Sequence, residues 1–211
     1  MKIDILTDNQ DSWIVKFIPQ LLDSLKHKHH VNHIFDIDLA SGGDILCALS
    51  CERILSAKVL SKYLSTIVAH PSPLPKGKGW SPIAWQILDG INQIPVSLIE
   101  AHEKVDSGPI YLQESMILKG HDLNDEIKKV QFKITKKLVI EYISNFPMEG
   151  ISQTGTESFY PKRVKKDNEL DVNKTIAQQF NSLRVVDNKR YPAYFNYKGH
   201  KYFLKIEKSI K

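Results

Sequence analysis

Apolar residues fall along this chain in two alternating rhythms. Short apolar blocks at residues 2–7, 31–35, 44–49, 65–69 and 96–100 predict strands. Between them, Ile14, Val15, Ile18, Leu21, Leu22 and Leu25 mark one broad face of a helix over residues 12–26. Pro19 interrupts that face, so a kink or a helix start is expected beside it. A longer helix is predicted over 123–146, where Leu123, Ile127, Val130, Ile134, Leu138 and Tyr142 recur every three to four residues. Asp122 is placed to cap its first turn and Pro147 to stop it, and its apolar stripe reads as core. Strands alternating with helices predict an α/β fold with a doubly wound, mostly parallel, Rossmann-like sheet. Such sheets bind ligands beyond the carboxyl ends of their strands.

The pattern changes after residue 150. Residues 148–172 are rich in Gly, Ser and Thr, then basic (Tyr160-Pro-Lys-Arg-Val-Lys-Lys166), then acidic, and read as a connector. A helix follows over 173–186 with Ile176, Phe180 and Leu183 on one face. Beyond it, residues 191–197 and 201–206 form a hairpin across Lys198-Gly199. The expected division is a catalytic domain over 1–150, with a connector and a small helix-and-hairpin unit over 151–211.

Composition adds limits. With 211 residues, 42% apolar and 25% charged, the chain can bury one substantial core and a small appendage. No apolar run approaches the ~20 residues of a membrane helix, and the first ten residues read as a strand and polar loop, not a secretion signal. A cytoplasmic protein is expected, with no membrane partner. Cys47 and Cys51 have no companion pair, so neither a disulfide nor a zinc site is expected and both read as buried thiols. His27, His29, His30 and His33 are interleaved with lysine and read as a solvated helix end, so no metal is expected. There is no GxGxxG or Walker loop, and Ser41-Gly-Gly-Asp44 reads as a turn only. The net charge of +5 fits an anionic partner, although Lys128, Lys129, Lys133, Lys136 and Lys137 lie on a helix and are explained by solvation.

The candidate chemistry lies in two stretches. The first is His70-Pro-Ser-Pro-Leu-Pro-Lys-Gly-Lys-Gly-Trp80, a Pro/Gly-rich loop that directly follows a predicted strand. The second is Asp106-Ser-Gly-Pro-Ile110, which begins 36 positions after His70. Two titratable groups on loops at the ends of neighbouring elements suit an acid/base pair at one reacting centre; both residue types also occur in plain turns.

These two stretches, together with Ser81-Pro-Ile-Ala-Trp-Gln-Ile-Leu-Asp-Gly90 and Cys51-Glu-Arg-Ile-Leu-Ser56, resemble the folate-dependent N-formyltransferases. The matching motifs cover roughly residues 45–118. Phe180-Asn-Ser-Leu-Arg-Val-Val-Asp-Asn188 and Tyr191-Pro-Ala-Tyr-Phe-Asn-Tyr197 are similar to the tails of the members that act on nucleotide-linked amino sugars. The resemblance implies the formyltransferase fold and the co-substrate N10-formyltetrahydrofolate. It implies His70 as oxyanion partner or proton carrier and Asp106 as the group that orients it and shares in proton transfer. Glu52, Arg53, Ile54, Leu55 and Val105 are then expected to line the folate pocket. The family's Asn, two residues before its His, is replaced here by Val68, which has no side-chain donor.

The acceptor implied is the primary amine of a small-molecule nucleotide sugar, a UDP- or dTDP-linked 4-amino-4,6-dideoxyhexose of the pseudaminic-acid-pathway type. Lys76, Arg184, Tyr191 and Tyr194 are the expected substrate-binding residues, with Arg184 gripping the pyrophosphate. Nucleic acid is not expected as a partner, because residues after the connector read as helix and hairpin, not as the barrel that methionyl-tRNA formyltransferases add. Glycinamide ribonucleotide, methionyl-tRNA or a carrier-bound amino acid as acceptor, a catalytically impaired folate- or sugar-binding homologue, and a homodimer stay open.

Overall fold

Alternation within the strands sends side chains into two separate cores. In β1 (Lys2–Leu6), Ile3 and Ile5 face one layer and Leu6 the other; in β3 (Gly43–Ala48), Ile45 and Cys47 oppose Leu46 and Ala48. The computed structural model describes residues 1–209. The remaining elements are α1 (Ile18–Leu25), β2 (His30–Ile34), α2 (Ala57–Leu60), β4 (Tyr63–His70), the two-residue β5 (Lys78–Gly79) and α3 (Pro82–Leu88). They continue with β6 (Gln93–Glu100), β7 (Ile110–Ile117), α4 (Asn124–Ser144), β8 (Phe159–Tyr160), α5 (Phe180–Arg184), β9 (Ala193–Tyr197) and β10 (His200–Leu204).

Six strands form the main sheet in the order β2-β1-β3-β4-β6-β7. The first four run parallel, as expected, while β6 is antiparallel to β4 and β7 to β6. Ile18 and Leu21 of α1 and Ile127, Leu138 and Tyr142 of α4 pack on one face, and Leu55 and Val59 near α2 on the other. No helix among the described residues is long and apolar enough to cross a membrane.

Several local expectations change. The first helix is shorter than 12–26: a 3-10 turn at Val15–Phe17 precedes α1, and Pro19 sits at its start, where its missing N–H costs nothing. Asp122 does not cap α4, because its carboxylate accepts the Lys119 N–H in the preceding turn at 2.6 Å. Glu126 instead reaches back to the Leu123 N–H at 2.8 Å. The helix over 173–186 shrinks to a 3-10 turn at Ala177–Gln179 and α5, and Ile176 is exposed. Cys47 is buried and Cys51 half-buried; burial raises both thiols to about 12. In the hairpin, Lys198 and Gly199 both have positive φ (48° and 81°), as a twist-matched two-residue turn requires.

The connector does not hang free. Its strand β8 pairs with β5 in the loop after His70, and Ile151 exchanges two backbone hydrogen bonds with Ile110, each 2.8 Å. A third small core of Leu170, Leu183, Val186 and Ala193 holds α5 and the hairpin together.

Candidate active site

The carboxyl ends of β1, β3 and β4 open onto one cleft of about 660 Å³. His70, the last residue of β4, is 5% exposed, and its Nε2 lies 2.8 Å from the Gly77 carbonyl across the Pro/Gly loop. Its Nδ1 faces Asp106 Oδ1 at 3.4 Å. Both ring nitrogens therefore face acceptors, and the ring can donate to both only when it carries a proton on each.

Register explains how Asp106 gets there. The end of β6 pairs Glu100 with Ile67, three residues back from His70, so the turn after β6 must fold forward along the sheet. Glycine makes this fold feasible, since a Cβ on Gly108 would lie 1.9 Å from the Glu100 carbonyl oxygen. Asp106 adopts a left-handed φ of 49°, and its Oδ2 accepts the Gly79 N–H at 2.8 Å. Beneath the turn, Glu100 accepts from the Thr66 N–H (3.0 Å), the Ser65 hydroxyl (2.7 Å) and the Tyr111 hydroxyl. Burial first and this carboxylate second push the Tyr111 phenol well above its ordinary range.

One wall of the cleft is the loop after β3. Asp8, just past β1, accepts the N–H groups of Glu52 (2.8 Å) and Arg53 (2.7 Å), which fixes the loop. Glu52, Arg53, Ile54 and Leu55 all line the cleft, as does Val105. Leu55 is anchored in the second core, while Ile54 is 65% exposed. Val68 lies on the same strand face as His70, two residues earlier, and makes that part of the wall apolar. Gln131 and Thr135, one turn apart on α4, also line the cleft.

The expected acceptor residues divide. Tyr191 lines the cleft and is half exposed. Arg184 does not line it: the residue is 1% exposed, its Nε donates to the Asp122 carbonyl (2.9 Å) and its Nη2 to that of Lys119 (2.7 Å). Its Nη1 donates to the side chains of Asn92 (2.9 Å) and Asn181 (3.3 Å). Tyr194 is buried, with its hydroxyl on Glu169, and Lys76 points to solvent outside the cleft. The cations at the mouth are instead Lys128, Lys162, Arg163, Lys165 and Arg190, together with Arg53. Lys162 and Arg163 belong to the basic run that composition alone marks as connector; only its return over the loop brings them to the cleft.

These cations are restrained by their neighbours. The Lys162 ammonium sits 4.4 Å from the centre of the Trp80 ring and 3.3 Å from Glu52. The Asn9 amide first, then Lys162 and Arg190, hold the Glu52 carboxyl below its usual range. Arg190 donates to the Asp11 carbonyl at 2.6 Å and lies over Tyr191. Burial alone would raise the Asp187 carboxyl, but the N–H groups of Arg190 and Lys189 and the Lys128 ammonium outweigh it and lower it. A carboxyl depressed in the folded state stabilises above its unfolded pKa, and this contribution fades as pH falls through the folded value. The turn carrying Arg190 should thus be firm at neutral pH and loosen only on acidification below the ordinary aspartate range. Chemical shifts of the Lys189 and Arg190 amides followed against pH test this; a transition near neutral pH would contradict it.

Comparison with known proteins gives the family and the fold. Residues 17–143 match the family model described as formyl transferase. The chain is 31% identical over 118 residues to the methionyl-tRNA formyltransferase of Thermosipho melanesiensis, covering 56% of this chain and 39% of that protein. The chain spans between 39% and 49% of the length of the first curated relatives it matches. Among solved structures, the methionyl-tRNA formyltransferase from Clostridium thermocellum superposes with a TM-score of 0.85 at 20% identity, covering all of this chain and 94% of that one. A 4-N formyltransferase from Francisella tularensis gives 0.74 at 20% identity, covering 99% and 98%.

Proposed function

Because this chain belongs to the formyl transferase family, we propose that its cleft transfers a formyl group from N10-formyltetrahydrofolate to the primary amine of a nucleotide-linked amino sugar. The observation that carries the reading is the His70–Asp106 pair, 3.4 Å apart and opening onto the 660 Å³ cleft. N10-formyltetrahydrofolate, the donor of this family, would supply an activated formyl carbon. The residues fit it: the fixed loop at Glu52–Leu55 offers backbone polar groups to a pterin edge, and Ile54, Leu55 and Val105 offer apolar surface to its ring.

The transfer needs three things from the protein. Negative charge develops on the formyl oxygen, a proton must leave the attacking amine, and one must reach the departing nitrogen. His70, held between the Gly77 carbonyl and Asp106, stands at the oxygen as hydrogen-bond donor or proton carrier. Asp106, whose Oδ2 is tied to Gly79, keeps Oδ1 to take the amine's proton and return one to the leaving nitrogen. Val68 gives no donor, so the side chains of Gln131 and Thr135 are assigned as the polar groups that position the acceptor or the oxygen.

The acceptor reading rests on the mouth of the cleft. Its cations suit a diphosphate, and Trp80 and Tyr191 offer flat surfaces to a base or sugar. Lys162→Ala and Arg190→Ala should each raise the KM of the nucleotide sugar about tenfold, as expected for loss of one charge-assisted contact, and leave the donor KM within about twofold. Incubation with N10-formyltetrahydrofolate and a panel of amines, read by mass for the gain of one formyl group, tests the function itself. A gain on methionyl-tRNA or glycinamide ribonucleotide and not on nucleotide sugars would move the acceptor; no gain on any amine would reject transfer.

A further inference from the structure

We propose that Gln153, in the connector, is a positioning residue that sets the His70–Asp106 pair. Its Nε2 donates at 2.8 Å to the Asp106 carbonyl and at 2.8 Å to the Gly108 carbonyl, so one amide clamps both ends of the turn that presents the carboxylate. Asp106 stands at a φ of 49°, a conformation that is unfavourable for a non-glycine residue and persists only when its surroundings impose it. Holding its carbonyl fixes the direction of its Cα–Cβ bond, and hence where Oδ1 meets His70.

The same segment also grips the other half of the pair. Ser158 accepts the Gly77 N–H on its hydroxyl (2.9 Å) and the Lys78 N–H on its carbonyl (2.9 Å). Gly77 is the residue whose carbonyl holds His70 Nε2. Glu157 joins the two loops directly, pairing with the buried Lys78 at 2.6 Å and with Lys104 at 3.2 Å. The connector thus works as a strap across both loops, and Gln153 is the part of it that touches Asp106.

Gln153 Oε1 is buried without a partner among the described residues, so the amide's only polar contacts are the two bonds to the Asp106 turn. Gln153→Met keeps the length of the side chain and removes both bonds; it leaves the Asp106 and Gly108 carbonyls without this donor, so it should fold with a lowered Tm and let the Asp106 turn relax. Displacement of a reacting group by about 1 Å can cost on the order of a hundredfold in rate.

The inference rests on the proposed reading of His70 and Asp106 as the catalytic pair, and the test separates the two. Nitrogen-15 NMR of the His70 ring in wild type, Gln153→Met and Asp106→Asn reports the pair without turnover. The charged groups around His70 are Asp106 at Nδ1 and, beyond Gly77, the set Lys78, Glu157 and Lys104. Expected at fixed pH are His70 ring-nitrogen chemical shifts in Gln153→Met displaced toward those of Asp106→Asn, kcat lower by at least tenfold, and an unchanged donor KM. Gln153→Asn, too short to reach both carbonyls, should act the same way. Wild-type His70 ring shifts and kcat within twofold in both variants would overturn the inference, and so would failure of both to fold. Displaced ring shifts beside a wild type that formylates no amine would instead overturn the proposed function and leave the strap standing.

Discussion

Replacing His70 with Ala is expected to abolish formyl transfer while the fold stays intact. The ring makes a single 2.8 Å hydrogen bond, to Gly77, and a looser 3.4 Å contact with Asp106, so its loss disturbs a loop and not the sheet. On the proposed mechanism the reaction, in contrast, loses the group that meets the formyl oxygen and the partner of Asp106. Positioned proton-transfer groups contribute about 10²–10⁴ in rate, and charge-stabilising donors a similar factor. Steady-state kinetics beside circular dichroism would check this; a folded variant keeping more than about a tenth of wild-type kcat would remove His70 from the mechanism. Asp106→Asn tests the other half. An amide can still accept the Gly79 N–H, but it turns an N–H toward His70 Nδ1 or leaves it an uncharged oxygen, and neither takes a proton from an amine. The rate should fall about 10²–10⁴-fold with donor affinity nearly unchanged. Lost donor affinity at full kcat would make Asp106 a pocket residue only.

How far these features are legible in the sequence depends on whether they are local. The strands β1 to β4 show themselves because each is a short apolar block between turn signals, and α4 because its stripe keeps the helical period for five turns. Periodicity has no direction, however, so nothing in residues 93–117 tells that β6 and β7 run antiparallel to β4. The residue types alone leave His70 and Asp106 open as plain turn residues; the order and spacing of the motifs they share with the formyltransferases single them out as a pair. Gln153, Lys162 and Arg163 are not legible. They sit in a polar stretch that reads as linker, and only the pairing of β8 with β5 folds it back over the loop after His70. Asp122 shows the same limit at short range: an Asp before a helix has both the helix N–H groups and its own turn to choose from, and the Lys119 N–H wins.

Arg184 shows that limit most plainly, and its replacement should cause a large loss of stability. The sequence places it after an apolar helix face and before an aromatic hairpin, where an arginine aimed at a pyrophosphate is a reasonable expectation. In the fold it points inward. Its guanidinium spans the carbonyls of Lys119 and Asp122 and the side chains of Asn92 and Asn181, joining α5 to the turn before α4 and to the entry of β6. A planar fork with five donors can satisfy such a spread of acceptors, and an ammonium cannot. Arg184→Ala would leave these acceptors unpaired and open a cavity, which should cost about 3 kcal/mol or more. For a chain of this length that lowers Tm by about 6–12 °C. Arg184→Lys should recover only part of the loss. Below the lowered Tm, the KM for the acceptor should match wild type, because the side chain never reaches the cleft. An Arg184→Ala protein that melts like wild type but binds the nucleotide sugar several-fold more weakly would return Arg184 to the acceptor site, and would mean that α5 turns outward when substrate is bound.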